Sequence, residues 1–204
     1  RLETMGTNAF YYCSSLKSVT IPEGLTTIKS YTFYNCISLG EITIPSTVTT
    51  IENSAFYYCS SLTSITIPEN VTKIGNSVFA YCSSIPTFSI HANLTSIGTT
   101  AFRYCASLQS IEVDENNPNY ASIDGVLYNK DITTLIRCPE KKQSITIPST
   151  VTTIDKSAFE QCKELTTISI PENVTTINDY AFAVCSSIGS FTIPSSIQRI
   201  APYT

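Results

Sequence analysis

"SAFYYCSSLTSITIPENVTKIG", residues 54–75, is a phrase the chain keeps returning to. Residues 31–52 read "YTFYNCISLGEITIPSTVTTIE", and residues 180–198 read "YAFAVCSSIGSFTIPSSIQ". Phe10, Phe33, Phe56, Phe79 and Phe102 recur every 23 residues, and Phe159 and Phe182 repeat that interval. Between Phe102 and Phe159 the gap is 57, one period with 34 residues added, so one interval carries an insertion. Three positions after each Phe stands a cysteine: Cys13, Cys36, Cys59, Cys82, Cys105, Cys162 and Cys185. Three further on stands Leu or Ile: Leu16, Leu39, Leu62, Ile85, Leu108, Leu165 and Ile188. A fixed period in this range is the mark of a solenoid, in which no unit can bury its apolar face without its neighbours.

Within the unit, Ile65 and Ile67 alternate with Ser64 and Thr66, the period-two pattern of a half-buried strand. Pro68 ends it, having no N–H for a ladder. Val71 and Ile74 carry the chain round, and the spacing of Ala55, Phe56 and Cys59 predicts a short helical turn before the next strand. The expected fold is therefore an α/β solenoid, mainly β and right-handed, with one parallel sheet and short helical or irregular return segments. Equivalent residues stack at about 4.8 Å per coil. The repeated letters are core ladders and the drifting letters face solvent.

The pattern A-F-x-x-C-x-x-L-x-x-I-x-I-P-x-x-V-x-x-I, present in seven Phe-centred units, resembles the BspA-like class of leucine-rich repeats. The segment "NPNYASIDGVLYNKDITTLIRCP", residues 117–139, is similar to the irregular stretch that interrupts such arrays. The resemblance implies a bacterial or protozoan surface protein concerned with adhesion and with binding host or matrix proteins. One departure is visible. Asn70, Asn93 and Asn173 stand where the commoner leucine-rich consensus places an Asn ladder, but Gly24, Thr47, Thr150 and Ser196 fill the place elsewhere.

All 204 residues read as one solenoid domain, with an insertion at about 114–144. In it, "SIDGVLY" and "TTLIRCP" read as a two-stranded ribbon turning at Asn129-Lys130-Asp131, with Asp124-Gly125 as a turn or bulge. The start "RLETMGTNAF" is in mid-repeat and lacks a basic head followed by an apolar stretch, so the chain reads as a piece of a longer array. No apolar run approaches the roughly 20 residues that cross a bilayer, so no membrane insertion is expected within it.

Charged residues make up only 14% and the net charge is -4, so Ser and Thr cover the surface and no Lys/Arg cluster offers itself to nucleic acid. Lys141 and Lys142 in "EKKQ" read as a solvated turn. Candidate chemistry is sparse. The ladder cysteines read as buried free thiols, with disulfides or metal as weaker alternatives, since no C-x-x-C occurs. Cys138, off the ladder, is the reactive candidate, though Pro139 and Ile136 beside it suggest burial. His91, the only histidine, takes the place of a post-strand proline and reads as solvated. Glu23, Glu69, Glu140 and Glu172 fall in turns, not in a pair across a cleft. Asp114, Glu115 and Asn116 lack calcium-loop spacing and read as an Asx turn. Asn70, Asn93 and Asn173 lie in N-x-T sequons that the repeat itself generates. Neither an enzyme nor a cofactor nor a metal site is expected.

The binding candidates are aromatic. Tyr12, Tyr58, Tyr81 and Tyr104 stand two after Phe, with Tyr11, Tyr34 and Tyr57 one after it, and Arg103 beside the last of the first row. Tyrosines suit interfaces, but rings laid over the next coil would equally seal a core edge. The stripe ends at Gln161 and Val184 beyond the insertion. On the strand face, Thr43, Thr66, Ser89 and Glu112 complete the candidate surface. The expected function is a monomeric, extracellular or cell-surface module that presents this face to a protein or glycan. The alternative is a passive spacer, favoured by the monotony of outward pairs such as Ser18/Thr20, Ser64/Thr66 and Ser190/Thr192.

Overall fold

The computed structural model describes residues 3–204 and contains strands and turns, with no helix among the described residues. The first five coils carry β1 (Ser18–Thr20), β2 (Thr27–Ile28), β3 (Glu41–Thr43), β4 (Thr50–Ile51), β5 (Lys73–Ile74), β6 (Thr87–Ile90), β7 (Ser96–Ile97) and β8 (Ser110–Val113). The insertion supplies β9 (Tyr120–Ile123), β10 (Val126–Asn129) and β11 (Thr134–Arg137). Then follow β12 (Ser144–Thr146), β13 (Thr153–Ile154), β14 (Thr167–Ser169), β15 (Thr176–Ile177) and β16 (Arg199–Ile200).

The strands stack in register one period apart, as Ile28, Ile51, Ile74 and Ile97 do along β2-β4-β5-β7. They form two columns, which corrects the single sheet expected. The Ser-Ile-Thr strands give the pairs β1-β3, β6-β8 and β12-β14, while the Thr-Ile strands give β2-β4-β5-β7 and β16-β15-β13-β11-β10-β9. The second column was hidden in the sequence because each of its repeat strands is only two residues long, too short to alternate. Residues 64–66 do not form a strand although they read Ser-Ile-Thr, as β12 does, so local sequence does not decide that gap.

The helical return segments expected around each Phe are absent, and the hydrogen bonds give the reason. Residues two before and two after each Phe are left-handed: Ser54 and Tyr58 (φ 55 and 61), Ser77 and Tyr81 (54 and 64), Thr100 and Tyr104 (59 and 59). Between the two left-handed residues every second N–H points along the stack. Ser54, Phe56 and Tyr58 donate to the next coil's Asn76, Val78 and Ala80 carbonyls at 2.9, 3.1 and 2.8 Å. The N–H groups between them close tight turns, as Ala55 to Glu52 and Tyr57 to Ser54 do. A helix would satisfy all of these donors within one coil and leave the coils untied.

The Asn positions also tie coil to coil. Asn70 Nδ2 donates to Ser46 O at 2.7 Å and Asn93 Nδ2 to Glu69 O at 3.2 Å. Where Asn is missing, hydroxyls take over: Thr47, Thr150 and Ser196 donate to carbonyls of earlier residues at 2.7–2.8 Å.

The insertion is a three-stranded antiparallel unit, not a two-stranded ribbon. β9 and β10 form a hairpin over Asp124-Gly125, both with positive φ (50° and 71°), which is the geometry a right-twisted two-residue hairpin needs. β11 then joins β13 in parallel, so the unit is continuous with the second column. The core divides here. One cluster runs from Met5 to Leu127, and the other from Val126 to Phe182. Alternate side chains of β10 face the two, with Leu127 in the first and Val126 and Tyr128 in the second. The Phe rings stack from Phe10 through Phe102 at centroid distances of 5.3–6.3 Å, and again between Phe159 and Phe182 at 4.8 Å. The Phe ladder is thus broken at the insertion and runs as two.

Candidate functional site: the tyrosine edge and its groove

Because each coil is left-handed two residues after Phe, the side chain there leans out along the edge of the stack, and the period brings rings together. Tyr11, Tyr34 and Tyr57 stack at 5.0 and 4.7 Å. Tyr58 stacks on Tyr81 at 5.1 Å, and Tyr81 on Tyr104 at 4.3 Å. The Arg103 guanidinium sits 4.7 Å from the Tyr104 ring centre and 5.9 Å from that of Tyr180, which itself stacks on Tyr203 at 5.0 Å. The stripe therefore does not end at the insertion. Arg103 carries it across, to Tyr180, two before Phe182, and to Tyr203 one period on.

Beneath the stripe lies Glu160, with a side chain only 2% exposed. It accepts from Arg103 Nε at 2.5 Å, from Arg103 Nη2, and from the Tyr104 hydroxyl at 3.0 Å. Burial raises the Glu160 pKa, but these hydrogen bonds outweigh it and hold the carboxyl below its usual range. Burial pushes the Tyr57 phenol up to about 12, with Tyr81 and Tyr34 adding to it, and burial together with the bond to Glu160 does the same for Tyr104. The phenols are thus uncharged donors at neutral pH.

Tyr58, Tyr81 and Tyr104 line one side of a groove of about 370 Å³, with Ser60 and Ser83 along its length. Gln161, Lys163 and the ion pair of Lys141 and Glu164 (2.5 Å) form the other side. The polar wall was missed in the sequence, though a signal existed. Lys141 and Glu164 are one period apart, and Arg103 and Glu160 hold the same place one after Phe on the two coils that flank the insertion.

The other expected residues lie elsewhere. Tyr12, 56% exposed, leans on Tyr11 and Tyr34 in the first coils and does not line the groove. Thr43 and Thr66 share a shallow hollow of about 470 Å³ on the strand face with Ile42 and Ile65. Ser89 and Glu112 face each other across β6 and β8, where Glu112 also accepts from Ser110. The candidates thus form two surfaces, not one.

All eight cysteines are free; Cys13 is exposed and Cys185 half-buried, while Cys36, Cys59, Cys82, Cys105, Cys138 and Cys162 are buried. Cys138, expected to be the reactive one, is 0% exposed. His91 is not solvated: its side chain is 11% exposed and its Nδ1 lies 3.2 Å from Glu69 Oε2. Glu140 is buried and not in an open turn, with Arg137 Nη2 donating to it at 2.6 Å. Asn116 N–H donates to Asp114 Oδ1 at 2.8 Å, the Asx turn expected. No group of three or more metal-ligating side chains gathers among the described residues, and no helix is long and apolar enough to cross a membrane.

Short parallel strands stacked at a fixed period, with Phe, Cys and Leu ladders inside and turns on the return, define a leucine-rich-repeat solenoid. The BspA type leucine-rich repeat region matches in six copies over residues 3–124 and 136–204, and the chain belongs to that family. A leucine-rich repeat protein of Eubacterium ventriosum is 31% identical over 91% of this chain and 56% of its own, with a TM-score of 0.75. A leucine-rich cell surface protein of Faecalibacterium prausnitzii is 33% identical over 94% of this chain and 58% of its own, with a TM-score of 0.73. The pneumococcal vaccine antigen PcpA shares the fold at 23% identity, over 89% of this chain and 51% of its own, with a TM-score of 0.73. The chain thus spans between half and six-tenths of those proteins' lengths. Among curated proteins none matches it significantly.

Proposed function

We propose that this chain is the non-enzymatic, protein-binding part of a bacterial surface or secreted adhesin, and that its partner, a host or matrix protein, lies along the tyrosine groove. The observation that carries the reading is the joint construction of that groove. Coils before the insertion supply three tyrosines, and the chain from Glu140 onward supplies Lys, Glu and Gln opposite them. Tyrosine is the residue type that anchors interfaces, giving large contact area with a polar tip. A protein suits the groove better than a glycan. Tyr81 stacks on both Tyr58 and Tyr104, and Tyr104 is further faced by Arg103, so ring edges and hydroxyls are on offer, not open ring faces. Surface placement is supported by the cell-surface relative.

The spacer reading is favoured by a separate observation. The outward strand residues are small hydroxyls in nearly every coil, and the stacked tyrosines help hold the coils together. Immobilised matrix proteins, screened for binding and then retested with Tyr58→Ser, Tyr81→Ser and Tyr104→Ser, separate the two. Loss of affinity with an unchanged fold supports the groove. Unchanged affinity with a lowered Tm leaves the stripe as a structural seam.

A further inference from the structure

At the insertion the stack opens, and a cavity of about 140 Å³ lies between coil five (residues 98–103) and the segment 155–157, with Leu127, Ile136 and Arg137 also lining it. In the preceding coil the left-handed turn sends three N–H groups to the next coil: Ser77 to Thr99 O (3.1 Å), Phe79 to Ala101 O (3.0 Å) and Tyr81 to Arg103 O (2.9 Å). One period on, the same donors are Thr100, Phe102 and Tyr104. The backbone is again left-handed at Thr100 and Tyr104, yet no carbonyl stands one coil further, and neither the Thr100 nor the Phe102 N–H has a partner among the described residues. Backbone N–H groups left without the carbonyl that their position in the stack calls for need another acceptor, and an anion can supply it.

Two more observations point the same way. The Glu140 carboxylate already lies against the N–H groups of Tyr104, the next donor in this row, and of its neighbour Cys105. The wall also holds Arg137, whose side chain is 7% exposed; its Nη1 and Nη2 reach Ser157 O and Glu140, and its Nε has no partner. We propose that this cavity binds a small carboxylate, received by the Thr100 and Phe102 N–H groups beside the Arg137 guanidinium. The volume suits an acid of acetate size, not a peptide. The site is separate from the tyrosine groove, so either assignment stands without the other.

The experiment is an amide ¹H–¹⁵N titration of the whole chain with sodium acetate, against sodium chloride, sodium sulfate and acetamide, with ionic strength held constant in the salt series. Acetate is expected to move the Thr100 and Phe102 amides downfield and saturably, while Ser77 and Phe79, already bonded to the next coil, stay still. Arg137→Gln is expected to weaken binding roughly tenfold or more, the size of effect for a charge-assisted contact. Should that variant fail to fold, the wild-type titration decides by itself. The proposal is overturned if acetate gives no saturable shift at these two amides, or if chloride or acetamide moves them equally. Saturation by sulfate with none by acetate would assign the cavity to tetrahedral anions and overturn the carboxylate.

Discussion

At three positions after Phe the chain needs a small side chain that can donate a weak hydrogen bond, and the thiol does both. Cys59, Cys82 and Cys105 each lie 3.2 Å from the carbonyl of Phe33, Phe56 and Phe79, the Phe of the coil before. That carbonyl also closes a local turn, as Phe33 O does for the N–H of Cys36, so the thiol fills its second lone pair. Thiol titration of native protein should therefore find Cys13 and little else, and of unfolded protein all eight. Burial pushes the Cys36 thiol up to about 11 and Cys105 to about 12, and raises Cys59 and Cys82 as well. A thiol in the unfolded chain ionises near pH 8.5. The folded form keeps its protons longer, so this stability is complete below about pH 8.5 and is lost as pH rises toward the folded values. Melting temperature should fall steeply between about pH 9 and 11, and less so in Cys82→Ala measured against its own neutral value; equal slopes would overturn the assignment. Phe56, fully buried between Phe33 and Phe79, should cost about 3–5 kcal/mol on replacement by Ala. Val184 runs the other way. It is a β-branched residue at φ 62 and 52% exposed, so Val184→Asn should stabilise by roughly 1 kcal/mol in chemical denaturation.

At the scale of elements, the repeat was legible because Phe, Cys and Leu keep strict spacing, and the insertion because it breaks that spacing. The return segment was misread because Ala55, Phe56 and Cys59 have helix-like spacing, while hydrogen bonding between coils, which no local pattern encodes, chose left-handed turns instead. The tyrosine side of the groove could be read from the sequence. Its charged side carried only the spacing of Lys141 and Glu164, which does not say where they sit, since the wall comes from the far side of an insertion whose path is set by β11 joining β13. The link across that insertion is Arg103, Tyr104 and Glu160. Glu160 is held below the usual carboxylate range, so its contribution is present above about pH 4.3 and lost as pH falls through the folded value. Glu160→Gln should cost roughly 2–3 kcal/mol at neutral pH, less than a fully buried pair, because Arg103 is 31% exposed and part of its charge is screened by water. The same substitution should flatten the acid limb of the stability curve. An unchanged limb would show that the carboxylate does not carry the link.

For the whole molecule, the question is whether two core clusters behave as one. Repeat arrays owe their cooperativity to nearest-neighbour interfaces, and here the neighbour relation passes chiefly through the insertion, whose strands β9, β10 and β11 each pack against both clusters. β10 sends Leu127 into the first cluster and Val126 and Tyr128 into the second, all three at most 2% exposed. The insertion cannot leave one cluster without exposing part of the other, so urea should unfold the wild-type chain in one transition, by circular dichroism and by tyrosine emission alike. Leu127→Ala removes the contact on one side only, at a cost of about 2–5 kcal/mol. It should weaken the first cluster while the hairpin stays docked on the second through Tyr128 and β11–β13. Amide exchange in that variant should then separate: protons of β2, β4 and β5 exchange through an earlier opening, and those of β13 and β15 keep their protection. If both sets lose protection equally, the clusters are coupled by more than β10, and the link from Arg103 to Glu160 is the element left to hold them together.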